Sequence, residues 1–103
     1  MALRATYWER RDNADRQALG NTAYDFCRAS RGAEGVRNCR FYWINADNIV
    51  TLAEAESAEV FDRPGTPELG KAAFALADVA RSVRDERWIE PREGVEAYRQ
   101  AGR

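Results

Sequence analysis

Three features of this 103-residue sequence predict one α+β domain of ferredoxin-like βαββαβ order: a four-stranded antiparallel sheet with both long helices on one face. Two stretches carry apolar residues at helical spacing, around Leu19, Ala23 and Phe26 and again around Leu69, Ala73 and Leu76. Four short stretches rich in β-branched and aromatic residues lie around them. The turn Asn45-Ala46-Asp47-Asn48 joins the middle two as an antiparallel hairpin, because Asn and Asp tolerate turn conformations.

The first strand is expected over residues 3 to 9. Leu3, Ala5 and Tyr7 alternate there with Arg4, Thr6 and Trp8, and the first set is expected to face the helices. Asp12 or Asn13 then offers an N-cap, with Asp15 in the first turn of a helix that Gly32 and Gly35 bring to an end. Residues 36 to 45, including "CRFYWIN", form the second strand and 49 to 56 the third. An irregular stretch follows, with a helical turn near Ala58 to Phe61. Thr66-Pro67 marks the second helix start, a capping threonine before proline at the first helical position. Its stripe, Leu69, Ala73, Leu76, Ala80 and Val83, carries the expected helix to Val83. Residues 86 to 90 make the fourth strand, stopped by Pro91, and residues 94 to 100 a short fifth strand or helical turn.

The chain is read as one domain, 1–103, with a tail from about residue 91 reaching a partner subunit. Composition is ordinary for a globular protein: 45% hydrophobic, 32% charged and a formal net charge of −1. No basic block marks a nucleic-acid-binding face. No apolar run approaches the ~20 residues of a membrane span, and "MALRATYWER" lacks a signal-peptide pattern. Cys27 and Cys39 lie outside any metal-ligand spacing and suit a reduced, cytoplasmic location. Histidine is absent, which excludes a Ser-His-Asp triad and removes the usual base for a catalytic cysteine.

The sheet face away from the helices decides the biology. With Cys39, Phe41 and Trp43 turned to the helices, Asn38, Arg40, Tyr42 and Ile44 point away, joined by Thr6, Trp8, Trp88 and Glu90. Such a face is too apolar for solvent and too polar for a dry core. It fits a homodimer whose two sheets enclose a small-molecule pocket, or an aromatic platform for single-stranded nucleic acid. Net charge and the lack of a glycine-aromatic strand motif favour the homodimer.

From the hairpin onward, "FYWINADNIVTLAEAESAEVFDRPGTPELGKA" resembles the central segment of the dimeric α+β barrel superfamily, the antibiotic-biosynthesis-monooxygenase-like domains. The matching features are the aromatic strand, the Asp/Asn turn, Glu54-Ala55-Glu56-Ser57, the short helix from Ala58 to Phe61 and the start at Thr66-Pro67-Glu68. Two departures stand out: Ala55 where many members have tryptophan, and no histidine. The resemblance implies a cofactor-independent monooxygenase, cyclase or isomerase acting on an aromatic or polyketide-like compound. A non-catalytic ligand-binding or structural homodimer is the alternative. No cofactor and no metal are expected; histidine-ligated haem is excluded, leaving only tyrosine or cysteine as haem ligands.

The candidate catalytic residues are Tyr42, Arg40, Glu54 and Glu90. Arg40 offers bidentate donation to a carboxylate or enolate, or a structural ion pair with Glu54, Glu56 or a partner's acid. Tyr42 offers a hydrogen bond to an oxyanion, or satisfies its hydroxyl against backbone. Glu54 or Glu90 would be a base only in an apolar site. Thr6, Trp8, Asn38, Ile44 and Trp88 are the expected pocket wall, the tryptophans serving equally as interface anchors. The runs "RSVRDER" and "EPREGVE" read as solvated surface, and Tyr24 and Phe74 as cover for helix edges, the irregular segment or further subunits.

Overall fold

The computed structural model describes residues 1–99. Its order is β1 (Ala2–Arg10), α1 (Arg16–Arg31), β2 (Val36–Asn45), β3 (Asn48–Ala55), a short 3-10 helix (Ala58–Asp62), α2 (Pro67–Val79), β4 (Ala80–Ile89) and α3 (Pro91–Ala97). The four strands form one antiparallel sheet in the order β2-β3-β1-β4. This is the expected ferredoxin-like α+β architecture, with α3 added behind β4.

Both long helices begin on side chains that accept the free N–H groups of their first turn. Thr66 caps α2 as expected, taking the Leu69 N–H at 3.1 Å, with Pro67 at the first helical position. At α1 the cap is Asp15, which accepts from the Ala18 N–H at 2.7 Å; Asp12 and Asn13 stay in the preceding turn. The helices meet the sheet through Leu19, Ala23, Ile49, Leu76 and Ala80, all fully buried, with Trp8, Phe26, Phe41 and Val79 packed around them.

One expectation is corrected here. Helix α2 stops at Val79, and β4 runs over Ala80–Ile89, so Ala80 and Val83 belong to a strand. The apolar spacing continues past the helix because Ala80 remains in the same core although the backbone has become extended. Of the two alternatives for residues 94 to 100, the helical one holds: the segment after Pro91 is helix, Pro91–Ala97, and residue 100 of that stretch lies outside the described residues.

A bulge at Val83 sets how β4 presents its side chains. Arg84 pairs with Tyr7, yet Ser82 pairs with Trp8, so one residue is extra. Directly opposite residues share a sheet face, and an inserted residue reverses the alternation. Thus Ala80 and Ser82 face the helices, and so do Asp85 and Arg87, while Arg81, Arg84, Glu86 and Trp88 face away. Val83, the extra residue, is exposed.

Candidate functional site

The register of β1 corrects the predicted face of Thr6 and Trp8. Trp8 is paired with Ile49 and Thr6 with Thr51. Trp8 lies edge-on to Phe26 of α1, with ring centroids 6.2 Å apart, which places it firmly on the helix side. Thr6 and Trp8 therefore face the helices, and Leu3, Ala5 and Tyr7 face away. Period-two alternation could not decide this, because both sets contain an aromatic and a small residue. Burial of Trp8 beside Ile49 and Leu19 is what selects the face.

Between the sheet and the helices lies a cleft of about 620 Å³. Strands β1, β3 and β4 form its floor with Arg4, Thr6, Trp8, Thr51, Ser82 and Asp85. Helix α1 gives Phe26 and Ser30, α2 gives Leu69 and Ala73, and the 3-10 helix gives Val60 and Phe61. The segment from Arg63 to Thr66 edges the opening.

The polar groups of the floor are wired in a row. Arg4 Nη2 donates to Asp85 Oδ2 at 2.7 Å and its Nε to Oδ1 at 3.1 Å, a two-point pairing of guanidinium and carboxylate. Thr6 Oγ1 donates to Asp85 Oδ1 at 3.2 Å. Beside them Trp8 Nε1 donates to Thr51 Oγ1 at 3.0 Å. The hydrogen bonds from Arg4, then its charge, hold the Asp85 carboxyl below the usual range, with Thr6 and Arg87 adding to the effect. Arg4 is held more firmly protonated by the same contact. Arg87 also reaches Asp62 at 2.8 Å, tying β4 to the 3-10 helix. Among the described residues no buried side-chain polar atom lacks a partner.

The expected site residues fall on three places. Thr6 and Trp8 line the cleft. Asn38, Arg40, Tyr42, Glu54 and Trp88 sit on the opposite sheet face, as the pairs Asn38–Glu54, Tyr42–Val50, Leu3–Glu54 and Leu3–Trp88 show. Ile44, at the end of β2, is exposed like Tyr42 and Trp88. Glu90 stands apart just before α3, within 3.6 Å of the Met1 amino group. Among the described residues Arg40 and Glu54 form no ion pair within the subunit. The face also holds Arg84, 5.3 Å over the Tyr7 ring and paired with Glu86, which accepts from Trp88 Nε1 at 3.3 Å. Tyr24 and Phe74 are exposed on the subunit, 56% and 76%, so they cover neither helix edges nor the irregular segment.

Arg4 and Asp85 were not among the residues singled out from sequence. Asp85 hid inside "RSVRDER", where charge density suggests plain surface. Extending the fourth strand back to Ala80 and allowing one bulge would have turned it toward the helices.

No known family model matches the sequence, and no curated protein does. Solved structures do match in shape. SnoaB, a cofactor-independent oxygenase from Streptomyces nogalater, superimposes with a TM-score of 0.73 at 11% identity, over 85% of this chain and 90% of its own. The chain has the SnoaB fold. A protein from Nitrosomonas europaea named for antibiotic biosynthesis monooxygenase activity matches with a TM-score of 0.70 at 9% identity, over 88% and 99% of the two chains. A similarly named protein from Deinococcus radiodurans gives 0.64 at 8%, over 86% and 91%. The fold these structures share with the chain is the ferredoxin-like α+β fold that the hairpin resemblance implies. No helix among the described residues is long and apolar enough to cross a membrane, and none of their acidic and cysteine side chains cluster as a metal site.

Proposed function

We propose that this chain binds a small aromatic, polyketide-like compound in the cleft between sheet and helices and oxygenates it without a cofactor. The supporting observation is the cleft itself, with aromatic walls at Trp8, Phe26 and Phe61 and a single charged pair, Arg4–Asp85, on its floor. Its volume suits a compound of two or three fused rings, since small-molecule sites span roughly 300–1,000 Å³. Oxygenation of this kind asks little of the protein: the ionised form of an electron-rich phenol must be bound, kept from water and opened to dioxygen. Arg4 meets that need, because a guanidinium keeps its charge and can stabilise an anionic oxygen while still bound to Asp85.

The reading includes a cytoplasmic homodimer in which two sheets pack through their open faces. Arg40, Tyr42, Glu54, Asn38, Ile44 and Trp88 then become interface groups. Arg40 and Glu54, which form no ion pair among the described residues, gain partners across the twofold axis, and the segment from Pro91 with Glu90 reaches the second subunit.

A second reading, a non-catalytic binding protein, is favoured by one observation: Asp85, the carboxylate on the floor of the cleft, is held ionised at low pH and makes a weak base. One experiment separates the two. Tryptophan fluorescence and oxygen uptake are followed while 1,8-dihydroxyanthrone is added to the wild type and to Ala73→Phe, which puts a phenyl ring into the cleft. Saturable quenching weakened about tenfold in the variant, with catalysed oxygen uptake, supports the oxygenase. Binding without uptake supports the second reading. No binding overturns both, and a monomer by native mass spectrometry overturns the barrel.

A further inference from the structure

Helix α2 carries a second seam, on the side turned away from the sheet. Leu69, Ala73, Leu76 and Val79 form its inward stripe, with Leu76 fully buried. Pro67, Gly70, Phe74 and Ala77 follow one another in steps of three, four and three, and all four are exposed. That spacing lays them in one row along the helix, the pattern by which a helix packs on another helix. Phe74 is the most exposed large hydrophobic side chain among the described residues.

Three groups along this row have no task inside the subunit. Gly70 sits at the rim of the cleft, where an added Cβ would meet nothing within 4 Å. Glycine weakens a helix interior relative to alanine, and no neighbour in the subunit needs the backbone bare there. Lys71 and Asp78 flank the row, both exposed, and neither forms an ion pair among the described residues. Seven residues separate them, about 10 Å along the axis, so they do not serve each other. Asp78 also stands in the last turn of α2, against the negative end of the helix dipole, with no basic residue in that turn.

We propose that a second copy of this chain covers the row, the two α2 helices packing antiparallel about a twofold axis at Phe74. Charge selects this arrangement. Lys71 lies three residues before Phe74 and Asp78 four after it, so the axis brings Lys71 of each copy beside Asp78 of the other. Two equivalent ion pairs result, and the two helix dipoles oppose one another. A parallel pair would set lysine against lysine and aspartate against aspartate. Phe74 of one copy enters the hole left by Gly70, Lys71 and Ala77 of the other, where the bare glycine admits the ring. The surface is self-complementary, as a twofold contact requires. One 13-residue helix on each side is a small interface, short of the ~1,200 Å² of a standard complex, so the contact is reversible and depends on protein concentration. It uses neither the cleft floor nor the open sheet face, so it stands or falls apart from the proposed oxygenation and from sheet-to-sheet pairing.

The test is sedimentation velocity of the full chain, without ligand, over a series of protein concentrations. The wild type should gain mass as concentration rises, and Phe74→Glu should remove that gain. Lys71→Glu and Asp78→Lys should each weaken the association by about tenfold, and the double variant Lys71→Glu/Asp78→Lys should restore it, a rescue that loss of folding would not give. Gly70→Gln should raise the urea midpoint, since a side chain there meets open space, yet weaken association by about tenfold. The proposal is overturned if wild type and Phe74→Glu have equal mass at every concentration. Single charge reversals without effect, or a double variant no better than the singles, overturn it as well.

Discussion

Gly35 to alanine is the substitution that most directly tests how the turn after α1 shapes the cleft. Gly35 has φ +86°, in the left-handed region, and an alanine Cβ there would stand 2.8 Å and 3.1 Å from the two methyl groups of Val60. Val60 is buried and lines the cleft. The left-handed backbone costs a side-chain-bearing residue about 1–2 kcal/mol. Loss of glycine's freedom in the unfolded chain offsets about 0.4–1 kcal/mol of that. Pressing a methyl into Val60 adds roughly 1–3 kcal/mol, as overpacking does elsewhere. Gly35→Ala should therefore destabilise by about 1–5 kcal/mol.

The two causes separate in a double-mutant cycle. Val60→Ala alone removes two methyls, costing about 1.6 kcal/mol at ~0.8 kcal/mol per carbon. In the Gly35→Ala background it also removes both atoms that clash, so only the backbone cost should persist. Urea denaturation of the four proteins should give a coupling of about 1–3 kcal/mol, with the double variant more stable than the summed singles. Additive losses, or a Gly35→Ala cost below about 0.5 kcal/mol, would refute the argument that Gly35 is needed for close approach to Val60.

Leu76→Ala should cost about 2–5 kcal/mol in the same assay, since Leu76 is fully buried among Leu19, Ile49 and Ala80; a loss under ~1 kcal/mol would mean that this cluster is not the core. Acid should destabilise the protein through Asp85, whose folded carboxyl lies below its unfolded value. That contribution is complete above the ordinary range near ~4 and disappears as pH falls through the lowered folded value. The urea midpoint of Asp85→Asn should accordingly vary less between neutral pH and strong acid than that of the wild type, and identical pH profiles would sever the link to Arg4. Trp8→Phe should lose about 1 kcal/mol with the Nε1–Thr51 hydrogen bond while keeping the fold, and should shift the tryptophan emission of the cleft; an unchanged spectrum would place Trp8 outside it.

Sequence alone revealed the architecture wherever a local signal and the final packing agree. Thr66-Pro67 starts α2 whatever surrounds it, and the Asn45–Asn48 turn closes the hairpin by its own chemistry. Phe41 and Tyr42 could likewise be assigned to opposite faces of β2 from Cys39, which belongs naturally with the helices. What stayed hidden depended on neighbours. Asp15 displaced Asp12 and Asn13 as cap because only its carboxylate stands before the Ala18 N–H. The face of Trp8 turned on Ile49, forty-one positions along the chain by number (49 − 8), and on Phe26. The cleft proposed as the site went unread for the same reason. Its charged pair lies on β1 and β4, with Arg4 and Asp85 standing 81 positions apart in sequence, and a single bulge at Val83 decides whether Asp85 meets Arg4 or water. Arg4 and Asp85 are exposed enough to read as surface charges, yet their two-point pairing with Thr6 on a cleft floor gives them a chemical setting that no window of sequence contains. The open sheet face repeats the pattern in reverse: Arg40, Tyr42 and Glu54 were legible as neighbours because β2 and β3 are one hairpin, while the cleft behind them was not.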